Sequence, residues 1–167
     1  MADDTPPHQE PSRLWKQPPI AKVYEAFSAV AAGRVDVTGP GKAVVTSSDG
    51  GRTYDVWWDD EVRAVFSTDN ASKFQGYTGY PVIAVLLVLG RLHAEPALMA
   101  PLARVDWHEL NARYKRQYDA AVGHALAEAE AAGADRKAIS AAAEDVAAQL
   151  AGLALERLTG RASRRRD

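Results

Sequence analysis

The segment Val82 to Leu89 reads Val-Ile-Ala-Val-Leu-Leu-Val-Leu, eight consecutive apolar residues with no polar side. Such a stretch has to be enclosed on most of its surface, so the rest of the chain is obliged to build a shell around it. It is far shorter than the roughly 18 residues that a membrane span requires. It therefore belongs in a core, and no membrane partner is expected. Pro81 ahead of it suits the first turn of a helix. A buried strand is the alternative for so short a run.

The shell is legible on the N-terminal side. After Pro19, Ile20, Val23, Tyr24, Phe27, Val30 and Ala31 recur at spacings of three and four and form one apolar stripe, with Gly33 as a C-terminal cap. This predicts a helix over 19–32. Four short β-branched and aromatic segments follow, 34–38, 42–47, 52–58 and 62–68, cut by Gly39-Pro40-Gly41, Asp49-Gly50-Gly51 and Asp59-Asp60-Glu61. Tight turns between such segments predict an antiparallel meander, covered on one side by the first helix. Alternation puts Tyr54, Val56 and Trp58 on one face and Trp57 on the other, while Val62, Ala64 and Phe66 share a face. Phe27, Val56, Ile83 and Leu86 are the expected centre of the core.

Downstream, Asp106-Trp107-His108-Glu109 reads as a capping box that opens a long helix to about Ala132. Gly133-Ala134-Asp135 ends it and caps a second helix, in which Ile139, Ala142, Val146, Leu150, Leu153 and Arg157 keep a near-heptad step. The pair forms an antiparallel hairpin. Its alanine-rich seam buries little area per residue, so it is expected to pack on the α+β body or on a second copy. Self-association, as a homodimer or higher, is the expected partnership, with Trp57, Leu150 and Leu153 as interface residues. The outward Trp57 has packing against the hairpin as its other expected use.

The fold class that results is α+β: an N-terminal helix packed on a four-stranded antiparallel meander, a short buried helix, then a long C-terminal antiparallel helical hairpin. The expected divisions are a flexible proline-rich arm over 1–17, a core domain over 18–105, the hairpin over 106–159 and a basic disordered tail over 160–167. In the arm, Leu14 and Trp15 are the only large apolar groups able to dock locally.

Composition removes several functional classes. Without cysteine the chain has no disulfide, thiol nucleophile or thiolate metal site. The acidic, proline-rich start lacks the basic-then-apolar order of a secretory signal, which predicts a cytoplasmic location. Fourteen Arg against six Lys, with abundant Ala and Val, is the usage of a GC-rich bacterial coding sequence. The net charge of −2 leaves no broad basic face for nucleic acid, and only the tail with Arg164, Arg165 and Arg166 is basic. An RNA-associated role through that tail is the weakest of the functional alternatives.

No phosphate-binding glycine loop, nucleophile elbow or HExxH motif occurs, so no catalytic residue is assigned. His124 and Glu128 have helical i,i+4 spacing, but two ligands do not make a metal site. No metal or cofactor is expected. The informative segment is the polar, glycine-punctuated loop from Asp69 to Tyr80. Held between a sheet and a buried helix, it places amide, hydroxyl, ammonium and phenol groups where binding residues are commonly mounted. Asp69, Asn70, Lys73, Gln75, Tyr77 and Tyr80 are the candidate ligand-binding residues, with Lys73 supplying charge for an anionic group. Sealing of the sheet edge is the competing structural explanation.

Two functions follow from these features. The first is a non-enzymatic binding or assembly module that self-associates. The second is a small enzyme or small-molecule-binding protein with a pocket under loop 69–80. A convergent pocket holding a titratable group with a shifted pKa favours the second, and a spare apolar face on the hairpin favours the first.

Overall fold

The computed structural model describes residues 13–61 and 63–158. The architecture is α+β, with one mixed sheet and a helical layer. Helix α1 (Ala21–Ala31) ends where the stripe ends: Gly33 takes φ +68°, and the Arg34 N–H returns to the Ala29 carbonyl at 2.9 Å. The chain then enters the meander β1 (Val35–Gly39), β2 (Lys42–Thr46), β3 (Thr53–Asp59) and β4 (Ala64–Ser67). At the β1–β2 turn Gly41 has φ +74°, and a Cβ there would stand 2.9 Å from the Trp58 carbonyl oxygen. Only glycine satisfies both constraints.

The apolar run folds as helix α2 (Tyr80–Val88), which lies against each of the four strands. Helix α1 packs on α2, so it is α2 that contacts the meander most broadly. Phe27, Val56, Ile83 and Leu86 are all buried as expected. Cross-strand register pairs Trp58 with Val65 and Val56 with Ser67, so Val65 and Ser67 are the β4 residues on the core face. Phe66 lies opposite Trp57 on the outer face, where their rings stack at 5.7 Å and Lys42 sits over the Trp57 ring. Trp57 thus finds a cross-strand neighbour rather than the helical hairpin, because its strand position turns it away from the helices.

Beyond α2, a short helix α3 (Pro96–Met99) runs into a 3₁₀ turn, Ala100–Leu102, and leads to α4 (Trp107–Arg113), α5 (Tyr118–Ala131) and α6 (Arg136–Leu153). Both predicted N-caps are in place. The Asp106 carboxylate accepts the Glu109 N–H and the Asp135 carboxylate accepts the Ala138 N–H, each at 3.0 Å. The Glu109 side chain, instead of reaching back to close the capping box, pairs with Arg113 at 2.6 Å.

The helix expected over 106–132 is broken at Tyr114–Gln117, where Lys115 and Arg116 take φ values of +51° and +64°. A straight helix of that length would run about 40 Å, longer than a small domain is wide. The elbow lets both halves reach the body. Trp107 donates its indole N–H to the Ser28 hydroxyl on α1 at 2.8 Å, while Ala121, Val122, Ala125 and Leu126 of α5 join the same core.

Helix α6 stops at Leu153, short of the expected Arg157. Ala154 turns the chain with φ +48°, and Glu156–Arg157 become β5, parallel to β4. The exposed edge of β4 is the cause, since its backbone groups need partners and an extended segment supplies them. Part of the expected arm covers β5 in turn. Arg157 donates to the Arg13 carbonyl at 2.8 Å, the Trp15 N–H bonds the Leu155 carbonyl at 3.0 Å, and the Trp15 indole N–H bonds the Glu156 carbonyl at 3.1 Å. Residues 13–16, the end of the expected arm, are thus hydrogen-bonded to β5 and to loop 69–80. Residues 1–12 of the arm and the whole basic tail lie outside the described residues.

The hairpin seam packs within the chain. Ile139, Ala143, Val146 and Leu150 of α6 are buried in the same core as α1 and α2. Leu150, expected at an interface, is enclosed by its own chain, and Leu153 is half-buried. Phe27→Ala in the body and Ile139→Ala in the hairpin should each cost about 2–5 kcal/mol through lost transfer energy and a cavity. Both should shift one common urea transition. A separate transition for Ile139→Ala would show that the hairpin is not part of this core.

Candidate functional site

Loop 69–80 is pinned at its start, middle and end. The buried Asp69 carboxylate accepts the Ser72 N–H at 2.9 Å and the Ser72 hydroxyl at 2.8 Å, and Ser72 Oγ accepts the Gly79 N–H at 3.2 Å. Asp69 thereby anchors the π-helical turn Ala71–Gln75. The Lys16 N–H bonds the Gly76 carbonyl at 3.0 Å, so the segment that covers β5 also fixes the loop. Gly79 is required by close approach: a Cβ on it would run into the Asp69 carboxylate.

Between this loop, the start of α1 and the α4–α5 elbow is a polar cleft of about 430 Å³, lined among others by Tyr54, Asp69, Asn70, Gln75, Tyr77 and Tyr80. Five of the six candidate ligand-binding residues meet here. Lys73 does not: it is exposed and does not line the cleft. Lys22 and Arg116 supply the cationic groups instead, and Tyr118 adds a fourth phenol.

Each cation is placed by a different device. Lys22 is nearly enclosed, 3.1 Å from Glu25 Oε2 and 4.7 Å above the Tyr118 ring. Glu25 is itself buried, and its second oxygen accepts the Asn111 amide N–H at 2.9 Å. Arg116 is carried to the rim by the left-handed backbone of the elbow. Among the described residues its guanidinium has no hydrogen-bond or ion-pair partner. At the edge of the cleft Phe74 stands 76% exposed.

Tyr54 and Tyr80 meet edge to face at 6.2 Å and separate the cleft from a smaller one of about 140 Å³, lined by residues that include Glu25, Arg34, His108 and Asn111. Burial, then the neighbouring Tyr54, pushes the Tyr80 phenol up. Burial likewise raises Tyr54, against the pull of Arg52. For Lys22, burial pulls the ammonium down, but the charge and hydrogen bond of Glu25 outweigh it and the net direction is up.

The expected His124–Glu128 pair is present at 2.9 Å, and His124 Nδ1 also faces the Tyr114 hydroxyl at 2.8 Å. This chain of groups joins α4 to α5 across the elbow. Among the described residues no three His, Asp or Glu side chains converge as metal ligands would.

Sequence reasoning missed Lys22, Tyr54, Arg116 and Tyr118. Lys22 and Glu25 did carry a signal, an opposite-charge i,i+3 pair on a helix that is otherwise buried. Arg116 carried none, because its position depends on a helix break that no glycine or proline announces.

The chain belongs to the family described as Uncharacterised conserved protein UCP014422, which matches residues 15–156. The first and last residues of that match, Trp15 and Glu156, are hydrogen-bonded to one another. No curated protein and no solved structure matches the chain.

Gly79→Ala should destabilise the protein by about 1–3 kcal/mol through overpacking against the Asp69 carboxylate. In an Asp69→Ala background the added cost should shrink to a few tenths, as a double-mutant cycle would register. Equal penalties in both backgrounds would remove this contact as the reason for the glycine. Lys22, Tyr54 and Tyr80 all hold their protons more tightly when folded. Their contribution is complete at neutral pH and is lost as pH climbs past about 10. Urea midpoints should fall above that pH, and Tyr80→Phe should blunt the fall.

Proposed function

We propose that the protein binds a small anionic molecule with a planar body in the cleft under loop 69–80. The observation that carries this reading is the unpartnered Arg116 guanidinium at the rim of a cleft walled by four tyrosines. A guanidinium recognises carboxylate or phosphate through two parallel N–H donors. Phenol rings offer flat apolar walls with a hydroxyl at the edge, and the amides of Asn70 and Gln75 add adaptable hydrogen bonding.

Binding rather than turnover is favoured by the state of the carboxylates. Asp69 is occupied by Ser72, and Glu25 by Lys22 and Asn111, so neither is placed to accept a proton from a ligand. The assembly reading drew on spare apolar surface along the hairpin. With Leu150 and its neighbours turned into the chain's own core, that support is reduced.

A panel of aromatic carboxylates and phosphate monoesters, read by thermal shift, tests the proposal, since any ligand that prefers the native state raises its midpoint. For members that bind, Arg116→Ala and Tyr77→Phe should each cost about 1–3 kcal/mol of affinity. Lys73→Ala should leave affinity unchanged. A panel without a stabilising member, or a Lys73→Ala loss equal to that of Arg116→Ala, would count against this assignment.

A further inference from the structure

The opposite end of β3 and α2 carries a second cleft of different chemistry. Where Tyr54 and Tyr80 begin the two elements at the polar cleft, Trp58 and Leu86 lie near their far ends and line a cavity of about 390 Å³ together with Val65, Leu153 and Leu155. Its floor offers aliphatic surface and one indole. Its rim is charged, with Asp59, Asp60, Arg63 and Arg91 around the opening.

Most of these charges are already engaged. Arg91 and Asp60 form an ion pair at 2.7 Å, and Asp59 Oδ1 accepts the Glu61 N–H at 3.0 Å within the turn. Arg63 differs. It is exposed, and among the described residues its guanidinium has no hydrogen-bond or ion-pair partner. Its backbone is left-handed, φ +49°, and its carbonyl accepts the Glu156 N–H at 2.9 Å. The sheet therefore holds an arginine at the cavity mouth in a conformation that glycine adopts more easily.

We propose that this cleft is a second binding site, taking a medium-chain alkyl carboxylate with its chain on Trp58, Leu86, Leu153 and Leu155 and its carboxylate on Arg63. A floor whose side chains are aliphatic apart from the Trp58 indole selects an apolar body, and the spare guanidinium of Arg63 at the mouth selects one anionic head. The site is independent of the polar cleft, since the two share no lining residue.

Calorimetric titration of the full chain with octanoate and with octan-1-ol tests this. Octanoate should bind about tenfold or more tightly than the alcohol, as a charge-assisted hydrogen bond provides. Affinity should rise roughly fourfold per methylene from hexanoate to octanoate. Arg63→Gly relieves the backbone and keeps the carbonyl, so it should melt no lower than the parent, still bind octanol, and lose the preference for octanoate. Leu153→Trp, which fills the cavity from a half-buried position, should weaken both ligands. The proposal is overturned by equal binding of acid and alcohol, by an unchanged preference in Arg63→Gly, or by the absence of saturable octanoate binding. A loss in Arg116→Ala equal to that in Arg63→Gly would also overturn it, because the acid would then sit in the polar cleft.

Discussion

A helix with no polar side sets the terms for every other element. Helix α2 has to be covered by the sheet on one side and by α1 on the other, and α1 in turn is covered by the α5–α6 hairpin. The order of layers follows from this single requirement, since apolar area gains most when water is removed from all of it. It also explains why an alanine-rich hairpin is stable here. Small side chains bury little against each other, but they let α5 and α6 approach α1 closely enough to share its core.

The sheet poses the second problem, an open edge at β4. The chain answers it by ending α6 early and laying down two residues of β5, which residues 13–16 then cover. Segments more than a hundred residues apart in sequence are thereby joined, with Trp15 bonded to Glu156 and Arg157 stacked over the Trp15 ring at 5.0 Å. The same clasp reaches loop 69–80 through Lys16. Edge protection and the rigidity of the polar cleft thus share one set of backbone hydrogen bonds.

Burial of α2 along its middle leaves its two ends to differ. The first turn, with Tyr80 beside Tyr54, meets the polar loop and the cations Lys22 and Arg116. Near the other end, Leu86 meets Trp58 and the residues after α6, and only the rim is charged. Both clefts present an arginine whose backbone is left-handed and whose side chain lacks a partner among the described residues. In each case tertiary contacts hold a conformation that the local sequence would not choose, the circumstance in which strain is most often tied to recognition.

What the sequence determined by itself is whatever depends on near neighbours. The stripe from Ile20 to Ala31, the strand alternation in 53–59, the run 82–89 and the caps Asp106 and Asp135 are periodicities and local hydrogen bonds, and each started an element where one was expected, although the helix that Asp106 caps ends at Arg113. Five of the six loop residues lie in one cleft for the same reason, being close along the chain. Only the tertiary structure decided the elbow at Lys115-Arg116, the early stop of α6, strand β5 and the exclusion of Lys73. The first three answer demands made by distant segments, the finite width of the body and the unpaired edge of β4, while the place of Lys73 follows from the helical turn that the buried Asp69 carboxylate anchors. Backbone groups and charges have to be satisfied wherever folding brings them, and no window of neighbouring residues contains that information.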